Sequence, residues 1–206
     1  MNVIITAIVL LVIWSIWGYF SSKVEQAEYS VIKKAKGYEI RNYPSHLSAQ
    51  TIVEGSYEEA MNMGFRIIAR YIFGGNAKKE SIAMTAPVKE EKLVSAKIAM
   101  TAPVTFNTEG NSRLVSFVMP KSYSLDTLPV PNDSRVKLVK VPSKKMAVLH
   151  FSWLRNSNRI SRMEKKLLLA LLRDKIEMIG SPLYAGYNAP WTPPWMTRNE
   201  IMIEIN

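Results

Sequence analysis

The sequence predicts an α+β domain: a duplicated strand-helix-strand unit forming an antiparallel sheet that curls toward a barrel, with two packed helices and an N-terminal transmembrane helix ahead of it. Three observations predict this. Strand, Pro-Ser break, strand, helix and further strands occur in that order twice, at an offset of 98 that aligns Pro44 with Pro142, Ser45 with Ser143, Ala49 with Ala147 and Ile40 with Leu138. Each of the two helical stretches is flanked by runs of strand periodicity, the order expected of helices packed on an antiparallel sheet. Ahead of both lies Val3–Phe20, a run without a single charge.

As a helix that run rises about 27 Å, near the hydrocarbon thickness of a bilayer. Trp14, Trp17 and Tyr19 crowd its C-terminal end, where amphipathic rings favour an interface. No basic residue precedes it and no clear small-x-small site follows Gly18, which favours an uncleaved anchor (residues 1–22) over a cleaved leader. The expectation is a single-pass membrane protein held through residues 3–20. Its sidedness is open: Lys23, Lys33, Lys34 and Lys36 point to the cytoplasm, and export remains the competitor.

Residues 23–37 read as a polar tether and 38–206 as the domain, with halves at about 38–119 and 135–206. Tyr38–Asn42 and Leu47–Val53 read as strands around Pro44-Ser45. Ser56-Tyr57-Glu58-Glu59 is a capping box, serine and glutamate satisfying each other's orphan amides at a helix start. The helix should end at Gly74-Gly75-Asn76. It carries two apolar stripes, Ala60-Gly64-Ile67-Tyr71 and Met61-Phe65-Ile68-Ile72, where a helix lying outside a sheet needs one. The additional width implies deeper burial or a flank that covers a ligand.

Next come two copies of an octapeptide, Ser81–Val88 and Lys97–Val104, sharing Ile-Ala-Met-Thr-Ala-Pro-Val. Both read as strands, with Pro87 and Pro103 at an end, bulge or edge; a duplicated structural hairpin is the plain interpretation. Asn107–Ser112 reads as a turn, Leu114–Met119 as a strand and Pro120–Ser134, with three prolines, as a linker. Val136–Val141 and Met146–Trp153 are strands, Ile160–Ile179 a second helix stopped by Gly180 and Pro182, and Leu183–Tyr187 and Glu200–Ile205 the closing strands.

The octapeptide, together with Tyr38-Glu39-Ile40-Arg41-Asn42-Tyr43-Pro44 and the C-terminal Gly186-Tyr187-Asn188, Pro190-Trp191-Thr192-Pro193-Pro194 and Arg198-Asn199-Glu200, resembles the SOUL/heme-binding protein family over roughly residues 29–206. The resemblance implies the same duplicated fold and a non-covalently bound heme. Some members are thought to ligate heme through a histidine in the Glu-Ile-Arg-x-Tyr motif, a position that is Asn42 here. Others hold it in an apolar cleft along the first helix, with basic residues near the propionates. That mode maps onto Phe65, Met61 and Ile68 as cleft residues and Arg70 and Arg66 as the basic ones. No Lys or Arg occupies the Trp191–Trp195 segment, so Arg66 or Arg198 would share the propionates.

Composition narrows the rest. Cysteine is absent, removing disulfides, thiolate metal sites and cysteine nucleophiles. The net charge of +10 suits anionic partners or plain solubility, and scattered lysines without an aromatic-basic stripe argue against nucleic acid. Of the two histidines, His150 sits in a strand and His46 in a turn, both weak candidates for a metal. The eleven methionines are mostly adaptable core filler. No Gly-x-Ser-x-Gly, His-Glu-x-x-His or phosphate loop occurs, so no enzyme is expected. The function expected is a membrane-anchored heme or tetrapyrrole binder that buffers or delivers its ligand. The alternatives are an interaction module at the membrane for a peptide or lipid and, more remotely, a small-molecule hydrolase using a cleft carboxylate such as Glu200.

Overall fold

The computed structural model describes residues 2–21, 25–77, 96–109, 112–153, 155–188 and 191–206. The first octapeptide copy, Ser81–Val88, lies outside the described residues. Nine strands make one antiparallel sheet: β1 (Ser30–Ala35), β2 (Tyr38–Tyr43), β3 (His46–Glu54), β4 (Val104–Glu109), β5 (Ser112–Val118), β6 (Lys137–Val141), β7 (Lys144–Phe151), β8 (Met178–Gly186) and β9 (Asn199–Ile205). Helices are α1 (Asn2–Ser21), α2 (Tyr57–Ile72) and α3 (Ser157–Arg173).

The strand order is β6-β3-β5-β4-β8-β9-β7-β2-β1. The two halves meet at the β4–β8 seam, and each half sends its first strand across to the other: β6 pairs with β3, and β2 with β7. The residues aligned by the offset of 98 become cross-strand partners, Ile40 with Ala147 and Leu138 with Ala49. Both alanines are fully buried. The sheet is open, which corrects the expected curl toward a barrel. Closure would require β1 to meet β6, and both carry exposed lysines, Lys33 and Lys34 on one and Lys137 and Lys140 on the other. Charge on an outermost strand discourages further pairing.

Helices α2 and α3 cover one face. The capping box forms as the spacing predicts, with Ser56 and Glu59 bonded reciprocally. Gly64 lets α2 approach closely, since a Cβ there would lie 2.4 Å from Val115 Cγ2. Asn156 caps α3, which ends at Arg173 rather than near Ile179. Lys175 takes a positive φ of 54°, and Gly180 (φ 76°) lies inside β8, at a register shift between Ile179 and Leu183. The glycine marks a bulge, where the sequence reading took it for a helix stop.

Two more boundaries differ. Part of the expected tether is strand β1, whose backbone pairs with β2. The second octapeptide joins the nine-stranded sheet only at Val104, and before that forms a short strand at Thr101–Ala102. Ile98 donates its N–H to the Ile72 carbonyl at the end of α2, Thr101–Ala102 pairs in parallel with Glu25–Gln26, and Pro103 precedes β4.

The predicted single-pass anchor is not upheld. Among the described residues no helix is long and apolar enough to cross a membrane. The helix also does not run clear of the domain: Trp14 Nε1 donates to the Trp191 carbonyl at 2.9 Å, and the Trp14 and Trp195 rings meet edge-on at 5.4 Å. A Cβ on Gly18 would strike Pro193 at 2.5 Å. Of the interfacial aromatics read from the sequence, Trp14 is a docking contact of α1 on the C-terminal Trp-Pro loop.

Candidate functional site

The motifs that carry the family resemblance converge on the sheet face opposite the helices. Alternation along β2 sends Tyr38 and Ile40 to the helices and Glu39, Arg41 and Tyr43 to the other side; β9 likewise sends Glu200 and Met202 there. Glu200 is fully buried. Its Oε1 accepts from Arg41 (2.9 Å) and Arg198 (2.8 Å), and its Oε2 accepts from the Tyr187 hydroxyl at 2.7 Å. Arg41 also reaches Glu39 and lies 4.2 Å over the Tyr29 ring. Burial, the largest influence, would lower the Arg41 pKa; the Glu200 charge and the hydrogen bonds to Tyr43 and Glu200 together outweigh it and raise it. Tyr187 is raised by burial first and by the Glu200 charge next. Both Glu200 oxygens are therefore committed inside a cluster of two arginines and two glutamates, and the carboxylate considered for hydrolysis is a structural one. Arg198, considered for a propionate, is spent in the same cluster, where Gln26 and Tyr29 also accept from it.

The helix face is different. Tyr57, Met61 and Phe65, four apart along α2, are all half-buried and form one flank of the helix. Tyr57 lies over the β4–β8 seam, its ring 6.4 Å from Phe106 and 6.5 Å from Tyr184, which stack on each other at 6.0 Å. Phe65 rests on Phe117 at 5.4 Å. Arg113 stands 5.6 Å over Tyr57, and the charges of Arg155 and of Glu164 on α3 are felt at the Tyr57 phenol. That hydroxyl is buried and has no hydrogen-bond partner among the described residues. Burial chiefly, then the neighbouring Tyr184, pushes its pKa far up, so it stays a protonated donor. Burial also raises the Glu164 carboxyl.

The predicted site residues thus divide. Met61 and Phe65 lie on the half-buried flank of α2, whereas Ile68 is fully buried and offers no surface. Arg66 and Arg70 are exposed; at 100° per residue they fall about 100° and 140° around α2 from Phe65, toward its outer side. Neither histidine belongs to the groove. His150 is exposed on β7 and alternates with Leu149 and Phe151, which face the helices; the His46 ring donates from Nδ1 to the Pro44 carbonyl at 3.1 Å. No cluster of three metal-ligating side chains occurs among the described residues. Sequence reasoning missed Phe106, Tyr184, Arg113, Arg155 and Glu164. It also used Tyr57 only as part of the cap, although Tyr57 extends the Met61-Phe65 stripe by one turn.

Residues 24–204 match the SOUL heme-binding protein family, nearly the whole chain. The chain belongs to that family. Heme is the ligand for which the SOUL family is named, and the domain boundaries enclose both the charge cluster and the groove. No curated protein matches the chain. Among solved structures, the EcmrR C-terminal domain is similar at TM-score 0.58 and 9% identity, covering 86% of this chain and 98% of that one. A hydrolase from Listeria innocua is similar at 0.53 and 9% identity, covering 85% and 94%. An uncharacterized conserved protein from Listeria innocua follows at 0.51 and 9%, covering 81% and 92%. Likeness at such identities carries the fold alone.

Proposed function

We propose that this SOUL domain takes up heme or a related tetrapyrrole non-covalently in the groove between α2 and α3, and buffers or delivers it without turnover. The observation that carries the reading is the half-covered Tyr57-Met61-Phe65 flank above an aromatic floor, with a buried phenol that has no hydrogen-bond partner among the described residues. A flat macrocycle suits such a surface, because burying its faces supplies most of the affinity. Met61 and Phe65 would contact the ring and the Tyr57 hydroxyl would donate to a polar edge. Arg113 and Arg155 stand near Tyr57 for the propionates, with Arg66 and Arg70 reaching from the outer side of α2. Bound heme would supply iron chemistry; the chain contributes burial and orientation.

Hemin titration tests this. A saturable, stoichiometric Soret shift is expected. Phe65→Glu should weaken binding on the order of tenfold or more, since it buries a charge against an apolar ring. Arg70→Glu and Arg66→Glu, which reverse charge at the outer edge, should weaken it only a few-fold. A featureless, non-stoichiometric response defeats the reading.

A further inference from the structure

A cavity of about 350 Å³ lies between the N-terminal residues 25–28 and the start of β3, away from the α2 flank. This is the lower end of the size range for small-molecule sites. Leu47, Val118, Met119 and Tyr123 give it apolar walls, and Met119 is held in place by donating its N–H to the Leu47 carbonyl at 2.8 Å. Its charged groups are Glu25, Glu28, Lys121, Lys140 and His46. Both carboxylates are engaged: Glu25 accepts from the Lys121 backbone N–H at 3.1 Å, and Glu28 pairs with the Lys121 ammonium. Among the described residues the Lys140 ammonium, on edge strand β6, makes no ion pair, and the His46 ring is oriented through Nδ1 by the Pro44 carbonyl. What remains is an apolar chamber with a cation at its rim.

We propose that this cavity is a binding site for a small apolar carboxylate, with the ring or chain against Leu47, Val118 and Met119 and the carboxylate on Lys140. A neutral isostere would forgo the charge-assisted bond to Lys140. The chamber is walled by the segment that the Lys121 contacts hold over it, so the site depends on the Glu25–Glu28 strap being seated. It is independent of the tetrapyrrole groove, which uses none of these residues.

The probe is 2-naphthoate, titrated into the full-length protein by calorimetry with amide NMR mapping. Saturable binding is expected, with shifts at His46, Leu47 and Met119. The uncharged 2-naphthamide and Lys140→Glu should each bring a loss of roughly tenfold or more, the scale of a hydrogen bond to a charged group. Phe65→Glu should leave naphthoate binding unchanged, and Lys140→Glu should leave the hemin response unchanged, which separates the two sites. Binding of the amide as tight as that of the acid, indifference to Lys140→Glu, shifts confined to the α2–α3 groove, or no binding at all would each overturn the proposal.

Discussion

The two faces of the sheet bury their side chains by different rules, although the same strands supply both. In β9, Ile201, Ile203 and Ile205 turn to the helices while Glu200 and Met202 turn the other way. The helix face is closed by apolar packing and leaves one flank of α2 half-covered over aromatic rings. The opposite face is closed by charge: Arg41, Arg198, Glu39 and Glu200 balance one another, and Tyr29 and Gln26 from the N-terminal segment cover them. A face whose charges are satisfied internally has nothing left to offer a ligand. A face with an unpartnered phenol and partly covered rings does. The residues that carry the family resemblance therefore hold the charged face together, and less conspicuous ones form the half-covered flank of α2.

The largest expected effect breaks the charged face. Glu200→Ala leaves Arg41 buried without its carboxylate, and removing one partner of a buried ion pair costs about 3–5 kcal/mol. Urea unfolding should register that loss, while the surviving folded protein keeps its hemin affinity. A loss under about 1 kcal/mol, the scale of an exposed pair, would mean that the cluster relaxes or is solvated.

Next in size is Gly64→Ala on the helix face. Alanine is the better helix former by up to about 1 kcal/mol, but its Cβ would press on Val115 Cγ2 at 2.4 Å. Overpacking of this kind costs about 1–3 kcal/mol, so the clash wins and stability should fall. Because α2 must lift from β5 to accept the methyl group, hemin binding should change as well, unlike in the Glu200 variant. A stabilised Gly64→Ala protein would show that the helix has room to move.

Much of the fold was legible in the sequence because its signals are local or periodic. Ser56 and Glu59 announce the start of α2, and the Pro44/Pro142 and Ala49/Ala147 correspondences reflect two halves that exchange their first strands. Three features were not legible. Whether β1 meets β6 depends on the whole strand order, which no local pattern carries. Gly180 gives the same signal at a bulge as at a helix end. Val3–Phe20 has the composition of an anchor, and its docking on Trp191 and Trp195 is a contact across the full length of the chain. For the proposed groove, the doubled stripe on α2 singled out Met61 and Phe65, which the structure leaves half-buried on one flank of that helix. Phe106, Tyr184 and Glu164 come from three other elements, and only the folded arrangement brings them beside Tyr57.

The smallest expected effect sharpens the helix face through pH. Burial raises the Glu164 carboxyl above its ordinary value, so the folded state holds that proton to higher pH than the unfolded chain does. Below the unfolded value, near 4.3, both states are protonated and the group costs nothing. As pH rises from there through the folded value, the unfolded chain gains relative stability by ionising first, and the native state stays penalised at neutral pH. Glu164→Gln removes the ionisation and keeps the shape. Its melting temperature should exceed that of the parent at pH 7 and converge with it at pH 4. With the carboxylate gone from beside Tyr57, repulsion of a propionate also disappears, so hemin should bind slightly tighter at pH 7. If the two melting curves differ equally at both pH values, Glu164 ionises as freely in the folded protein as in water, and the groove wall is more open to solvent than its packing implies.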